Sequence, residues 1–429
     1  RDWSSDMCSS DLVFTYLDAT GATQTLNILN ATYQQVIGSP ITAIDSIIAA
    51  RVLSKLPAGN SANCGDTRNT TCYLFNQKSN QDREALTLRF DGDVTAKHSL
   101  STVYSWRKET NMRPDIDNGG YNDVPFGFQG GPAYTTNSAW RWTPTSRLTN
   151  EVRVAMQLTR PKFGRNNEPT DVFLSLPLVS STESTFQKQG RNTAIWTAQD
   201  NGVLTLGDHT VRFGATANWY RVAPFGPPAF SGSTIPTVGV GVATSTTGLN
   251  FAAFPVAVPA AQQSTATALL GLLGGIVSSA SQSFYALDRN GFTLGAFPQR
   301  RLHYENYGVY VGDQWRASQN ITVNYGIRWE YFTPISEPSG LALEVAQGPN
   351  PSVRAAIMNS TGVYNFVGSN LGDNRFFNPD KNNFAPNISF AWSPNFEKSK
   401  ILRGLFPGGG KTVIRGGFSV SYVNDEFVR

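Results

Sequence analysis

The chain lacks any uninterrupted apolar run of about 18 residues, so no transmembrane helix is indicated. Its mean hydropathy of −0.26 also argues against a helical membrane protein. Charge is scarce: 15% of the 429 residues are charged, while 12% are aromatic. That balance is low in charge and rich in rings for an ordinary cytosolic domain. The net charge of +4 is mild, and arginines such as Arg89, Arg107, Arg153, Arg212, Arg328 and Arg415 stand singly. Without a Lys/Arg cluster interleaved with aromatics, a nucleic-acid partner is not expected. An initiator Met and a signal peptide are both missing, although an exported protein needs the latter. The chain is therefore expected to be an internal piece of a longer protein.

Chemistry-bearing residues are equally sparse. There are three histidines and three cysteines, and none of the patterns H-E-x-x-H, C-x-x-C or G-x-S-x-G occurs. The GGGKT at 408–412 imitates a phosphate loop, but Leu405 stands where that loop needs glycine, and the segment joins two strands. It reads as a turn. His98 and His209 fall in or beside short turns and read as solvated turn residues, while His303 opens a strand near a loop. In DIDNGGYND, Asp115, Asp117 and Asp123 could face calcium, but the spacing and terminal Glu of an EF-hand are missing. A turn-rich surface loop is the plainer reading. No enzyme activity, cofactor or metal is expected.

What the chain does have is alternation. In residues 303–331, HYENYGVYVGDQWRASQNITVNYGIRWEY, the positions Ile321, Val323, Tyr325, Ile327, Trp329 and Tyr331 share one face. Thr322, Asn324, Gly326, Arg328 and Glu330 share the other, because side chains alternate with period two along a strand. An apolar stripe ending in Trp and Tyr, backed by ions and amides, suits a strand with lipid on one side and a wet lumen on the other.

The same grammar recurs at 84–107, 139–158, 194–220 and 384–422, giving about ten strands of the ~9–11-residue length that spans a bilayer when tilted. The connections alternate. Short turns fall near Val94–Lys97, at PTSRLT and at Leu206–His209, while the segments 108–138, 159–193, 221–302 and 332–383 are long and rich in Gly, Pro, Asn and Ser. Such long loops are uncommon in compact soluble domains and mark an outer-membrane barrel, with short turns toward the periplasm and long loops outside. Two segments break the pattern and read as loop helices: 264–280, and 41–56 with Ile44, Ile47, Ile48 and Leu53 near one face. The expected fold is all-β, a transmembrane antiparallel β-barrel with long extracellular loops.

Residues 1–12, RDWSSDMCSSDL, share no pattern with the rest and read as a non-native, adaptor-like prefix, leaving 13–429 as the partial barrel. Cys8 lies in that prefix. Cys64 and Cys72, in the polar stretch NCGDTRNTTCY, read most simply as a loop disulfide of an exported protein. A zinc site would need a second pair or a nearby His.

The series GVYVGDQWRASQNITVNYGIRWEYFTP, NFAPNISFAWSP and KTVIRGGFSVSY resembles the barrel of TonB-dependent outer-membrane receptors, and within them the Oar-like subgroup of acidobacteria. DREALTLRFDGDVTAKHSLSTVYSWRKE and LGDHTVRFGATANWYR resemble that subgroup's early hairpins. The resemblance covers most of 13–429. It implies an outer-membrane location in a Gram-negative bacterium, a barrel of about 22 strands, and a plug domain. It also implies a TonB–ExbB–ExbD complex that powers import of a scarce or bulky solute bound by the outer loops. Plug, TonB box and final strands are not found in the sequence. The runner-up is a passive porin or a structural, adhesive barrel; a soluble carbohydrate-binding β protein is a third class.

Two sets of residues follow. Trp106, Trp140, Trp142, Trp219, Trp315, Trp329 and Trp392 lie near strand ends and are expected to form membrane-interface girdles against outer-membrane lipid; a soluble core is the competing reading. Tyr121, Phe126, Phe128, Tyr134, Phe225 and Phe230 are the candidate solute contacts in the extracellular loops, although packing among loops is the plainer role of each. Glu151, Arg153, Arg328 and Glu330 are expected to face plug or lumen water.

Overall fold

The structure is a computed structural model. It describes residues 13–36, 39–116, 121, 127–165, 171–180, 182, 186–227, 232–242, 247–369, 375–396, 399–406 and 411–423. The non-native prefix proposed from the sequence, and also Phe126, Phe230, Asp117 and Asp123, lie outside the described residues.

Among the described residues nine long strands and a short one form one sheet: β1 (Gln81–Thr95), β2 (His98–Met112), β3 (Gly127–Thr145), β4 (Leu148–Thr159), β5 (Gln189–Leu206), β6 (His209–Phe225), β7 (Leu302–Ser318), β8 (Ile321–Phe332), β9 (Asp380–Trp392) and the short β10 (Ile414–Ser419). Each pairs antiparallel with its neighbour in sequence, from β1 at one edge to β10 at the other. A short strand, Lys162–Arg165, fills the gap beside the ends of β3 and β5. This up-and-down order is the topology of an outer-membrane barrel wall.

The turns have local causes. Gly207 takes φ 58°, so the β5–β6 hairpin closes through two residues with Leu206 opposite His209 and no register shift. The turns at Ala96–Lys97, Ser146–Arg147 and Gln319–Asn320 hold no glycine. Each has one extra residue on the leading strand just before it, because a bulge adds the local right-handed twist that a turn without a left-handed glycine does not supply. The connection 393–413 at this same end is longer and carries a short helix, Lys400–Leu405.

Register fixes the two faces. One face carries Leu86, Leu88 and Phe90 in β1, Val154 in β4, Val309 and Val311 in β7, and Phe384, Ile388 and Phe390 in β9, all large apolar side chains left exposed. The opposite face carries Arg141, Glu151 and Arg153, where Glu151 accepts from Arg141 at 3.0 Å and from Arg153 at 2.7 Å. It also carries Arg328 donating to Glu330 at 2.8 Å, and Tyr310 donating to Asn201 at 2.8 Å. Tyr310 lies across Gly214, where a Cβ would come within 2.6 Å of its ring. A soluble sheet would bury the apolar face; here it stays outward and the polar face turns in.

The buried core sits elsewhere, at the end that carries the long connections and the segment preceding β1. Phe14, Tyr16, Ile28 and Leu29 pack with Phe254, Ala266, Leu270 and Leu273. The last three belong to α2 (Ala260–Leu273), so the helix expected over 264–280 starts earlier and ends at Leu273, and Val277–Ser281 is a strand instead. The helix end has a physical cause: Gly275 takes φ 58°, and the N–H groups of Gly275 and Ile276 donate to Leu272 and Gly271 at 3.2 and 3.0 Å. This is the paired closure of a helix C-terminus by a left-handed residue. A second cluster joins Ile48 and Val52 to Leu174, Val240 and Leu272. Ile48 lies in α1 (Ser46–Arg51), whose first turn is capped by the Asp45 carboxylate accepting from Ile47 and Ile48. Pieces far apart in sequence thus form a cap over the long-loop end.

Candidate functional site

Three chain segments lock the cap together. Gln262 of α2 exchanges two hydrogen bonds with the backbone of Leu17, at 3.0 and 2.8 Å, and Tyr16 donates its hydroxyl to Val256 at 2.8 Å. Arg51 at the end of α1 reaches across to the 160–188 connection. It holds Asp171 with both guanidinium nitrogens, at 2.6 and 3.2 Å, and donates to the Val172 carbonyl at 2.5 Å. The Val172 N–H first, and then Arg51, keep the Asp171 carboxyl below its ordinary range.

Between α1 and the small sheet built from Phe173–Ser175, Thr237–Val240 and Val277–Ser281 runs a groove of about 930 Å³. Asp45, Ile47, Arg51, Lys55, Asp171 and Val238 line it. It is at the upper end of the size of small-molecule sites and combines apolar walls with a few charges, as such sites do. Ile47 points into it and is 59% exposed. The sequence reading missed this groove. The only signal was Ile47, which completes the helical stripe of α1 yet has nothing to bury against within its own segment.

The loop 60–74 forms a second feature. Cys64 and Cys72 are joined as a disulfide, Cα–Cα 5.6 Å. Inside that ring Asp66 accepts from the backbone N–H groups of Arg68, Asn69 and Thr70 and from the Asn69 side chain. Burial alone would raise this carboxyl, but those bonds outweigh it and hold it at about 2. Asn69 in turn exchanges hydrogen bonds with the backbone of Thr15 at 2.8 and 2.9 Å, tying the loop to the cap. Beside it Tyr73, Phe75 and Tyr121 pack ring on ring, Tyr121 lying 6.0 and 6.1 Å from the other two. Tyr121 has φ 51° and donates to the Ser180 carbonyl at 3.2 Å. Burial pushes its hydroxyl pKa up.

The other described candidates lie at the wall. Phe128 and Tyr134 are residues of β3 rather than of a loop, which corrects the 108–138 boundary. Tyr134 stands between Trp106 and Leu158 on the outward face. The alternation there is masked in the sequence by small and polar neighbours such as Ala133, Thr135 and Thr136. Phe128 covers Gly164 with Lys162 5.9 Å above its ring. Phe225 ends β6, lies over Gly190 and packs near Phe297 at 6.4 Å.

The tryptophans sort into two levels on the outward face. Near the tight turns lie Trp140, Trp142, Trp315 and Trp392; toward the loops lie Trp106, Trp219 and Trp329. Trp142 and Tyr134 on β3, and Trp315 and Tyr307 on β7, are eight residues apart on the same strand and face. At ~3.3 Å per residue and a tilt near 40°, eight residues rise about 20 Å, close to the ~25 Å apolar band of a barrel. The turn histidines belong to the lower level, where each gains a ring partner beside its turn while the His209 side chain stays 42% exposed. His98 stacks on Trp140 at 5.6 Å and accepts from its indole. His209 stacks on Trp315 and is bonded to Asp313 at 2.6 Å, while Tyr325 donates to the same carboxylate oxygen at 2.9 Å.

No curated protein matches the chain. Among solved structures it is similar to the ferric-catecholate import receptor Fiu from E. coli K12 in its open form, at 9% identity and TM-score 0.37, covering 82% of this chain and 48% of that one. It is also similar to the copper transporter OprC, at 8% identity and TM-score 0.37 over 79% of this chain and 37% of that one. The ferric preacinetobactin receptor BauA from Acinetobacter baumannii gives 9% identity and TM-score 0.37, over 74% and 38%. The chain spans less than half the length of each. The model of the outer membrane beta barrel domain matches residues 4–428, so with its antiparallel meander, outward apolar face and inward polar one, the chain belongs to the outer-membrane β-barrel family.

Proposed function

We propose that this chain is the barrel part of an outer-membrane transporter that captures a scarce or bulky solute at its long-loop end and imports it with energy delivered by TonB, ExbB and ExbD. The observation that carries this reading is the cap. Its loops are not loose connections but a packed unit with its own hydrophobic clusters and a groove of about 930 Å³. A passive pore gains nothing from ordering so much chain over its mouth, whereas a receptor needs a shaped, preorganised surface there. Residues lining the groove, above all Ile47, Arg51, Lys55 and Asp171, are the proposed solute contacts, with the Tyr73–Phe75–Tyr121 cluster as a neighbouring aromatic wall. The two tryptophan levels are the proposed membrane girdles. We place the protein in the Oar-like subgroup on the sequence resemblance.

The open edges β1 and β10 support further wall strands in the intact protein, since unpaired edge groups are costly in lipid. Glu151, Arg153, Arg328 and Glu330 would then face a plug or lumen water. The test is uptake in the native host with labelled oligosaccharide, peptide, metal chelate and vitamin. One solute should fail to accumulate both when the gene is deleted and when tonB is deleted. Uptake that needs the gene but not TonB would instead establish a passive pore, and no change for any solute would favour a structural barrel.

A further inference from the structure

Within the outward apolar band, β5 carries a carboxylate. Asp200 lies in the cross-strand row Val152, Asp200, Ala215, Val309, and Val309 is one of the exposed apolar side chains that define that face. Trp196, four residues nearer the loops on the same face, pairs with Trp219 of the upper tryptophan level. Four residues at ~3.3 Å each and a tilt near 40° descend about 10 Å, so Asp200 stands near the middle of the band. Asn150 of β4 donates to one of its carboxylate oxygens at 2.7 Å. Among the described residues neither side chain has another hydrogen-bond partner. Asp313 differs: it stands two residues from Trp315 of the lower level, and His209 and Tyr325 both bond it.

Ionisable side chains at membrane depth are costly against lipid and turn toward protein or water. The cap gathers at the loop end, and further wall strands add at the edges β1 and β10, so neither covers a pair on β4 and β5. Asn150 and Asp200 are only half-buried. Their outward neighbours toward the loops and across β6 are small: Ala198, Ala215 and Ala217. Small side chains let two membrane-embedded surfaces approach closely, and polar groups then bond across the contact. The pair is also its own complement. Asn150 has a second amide hydrogen and Asp200 a second oxygen. A two-fold axis along the membrane normal sets equal depths face to face and makes the same patch meet itself. Each Asn150 then donates its spare hydrogen to the Asp200 of the other copy, closing a ring of four bonds in which every carboxylate accepts two. We propose that the outward face of β4 to β6 is a contact between two copies of this chain within the membrane, with Asn150 and Asp200 at the axis. This contact rests on the outer-membrane location and not on the transport reading.

The test uses the intact protein, singly labelled and reconstituted into vesicles over a range of protein-to-lipid ratios, with copy number read by single-molecule photobleaching. The expected result is a transition from one-step to two-step bleaching as the ratio rises. The double variant Asn150→Leu/Asp200→Leu should move the midpoint to a ratio about tenfold higher or more, while keeping the heat-modifiable migration of a folded barrel. Oxidation in native membranes should join two copies through Ala198→Cys, whereas Phe390→Cys, on the same face of β9, should give no such product beyond that of the unaltered protein. A single copy at every ratio would overturn the proposal without reference to any variant. An unchanged midpoint in the folded double variant would overturn the role of the Asn150–Asp200 pair. Joining through Phe390→Cys but not through Ala198→Cys would overturn the choice of face.

Discussion

Val311 stands on β7 four residues from Trp315 and four from Tyr307, at the middle of the outward apolar band, and is 49% exposed. Replacing it with arginine puts a cation at mid-depth against lipid. The nearest headgroup level is four residues away, about 13 Å along the strand and about 10 Å in height. That lies beyond what a snorkelling side chain covers without distorting the bilayer. The expected cost is about 2–4 kcal/mol, or roughly a 30- to 900-fold fall in the folded-to-unfolded ratio. Asn387 on β9 supplies the control. It pairs with Gly326, which pairs with Gly312 next to Val311, and faces inward. Asn387→Arg adds the same charge at similar depth on the polar side, where Arg328 already stands one row away, and should cost less than about 1 kcal/mol. The assay is guanidinium titration of the intact protein folded into vesicles, followed by heat-modifiable migration. Equal costs for the two variants, or a larger one for Asn387→Arg, would mean that the faces have been assigned backwards and that the wall is not a membrane barrel.

Other outcomes follow from the cap. Leu270→Ala should create a cavity costing about 2–5 kcal/mol, read as new protease cleavage within the long loops while the barrel stays heat-modifiable; loss of the barrel itself would refute the independence of the cap core. Asp66→Ala removes the acceptor of five hydrogen bonds and should lower local stability of the 60–74 loop by about 1–3 kcal/mol, measured by amide exchange. Because the folded Asp66 carboxyl sits at about 2, below the ordinary ~3.9, its contribution is complete above about pH 5 and is lost as pH falls through about 2. The unaltered loop should therefore open on acidification within that window, and the variant should show no such dependence. Reducing the Cys64–Cys72 bond, which closes a short ring, should release about 2–3 kcal/mol of constraint in that loop only. Exchange that spreads into the wall strands would contradict a local role.

Hairpins such as β7–β8 were legible in the sequence because a strand writes its environment into adjacent residues. Ile321, Val323, Tyr325 and Ile327 need only their own alternation to declare a face, and a two-residue turn pairs each strand with the next. The same locality explains the misreading of Tyr134, whose stretch of β3 alternates Thr, Ser and Ala and so carries little hydrophobic contrast. The stacking of His98 and His209 was not legible, because their partners, Trp140 and Trp315, come from neighbouring strands across the sheet.

The cap is the opposite case. Leu17 meets Gln262 and Arg51 meets Asp171 across long stretches of chain, and no period in either segment names its partner. The sequence by itself determined the wall, its two faces and the end at which the loops gather, because those depend on period and turn length alone. Only the tertiary structure decided that the loops close into a packed cap with a groove, because that depends on which distant side chains share space.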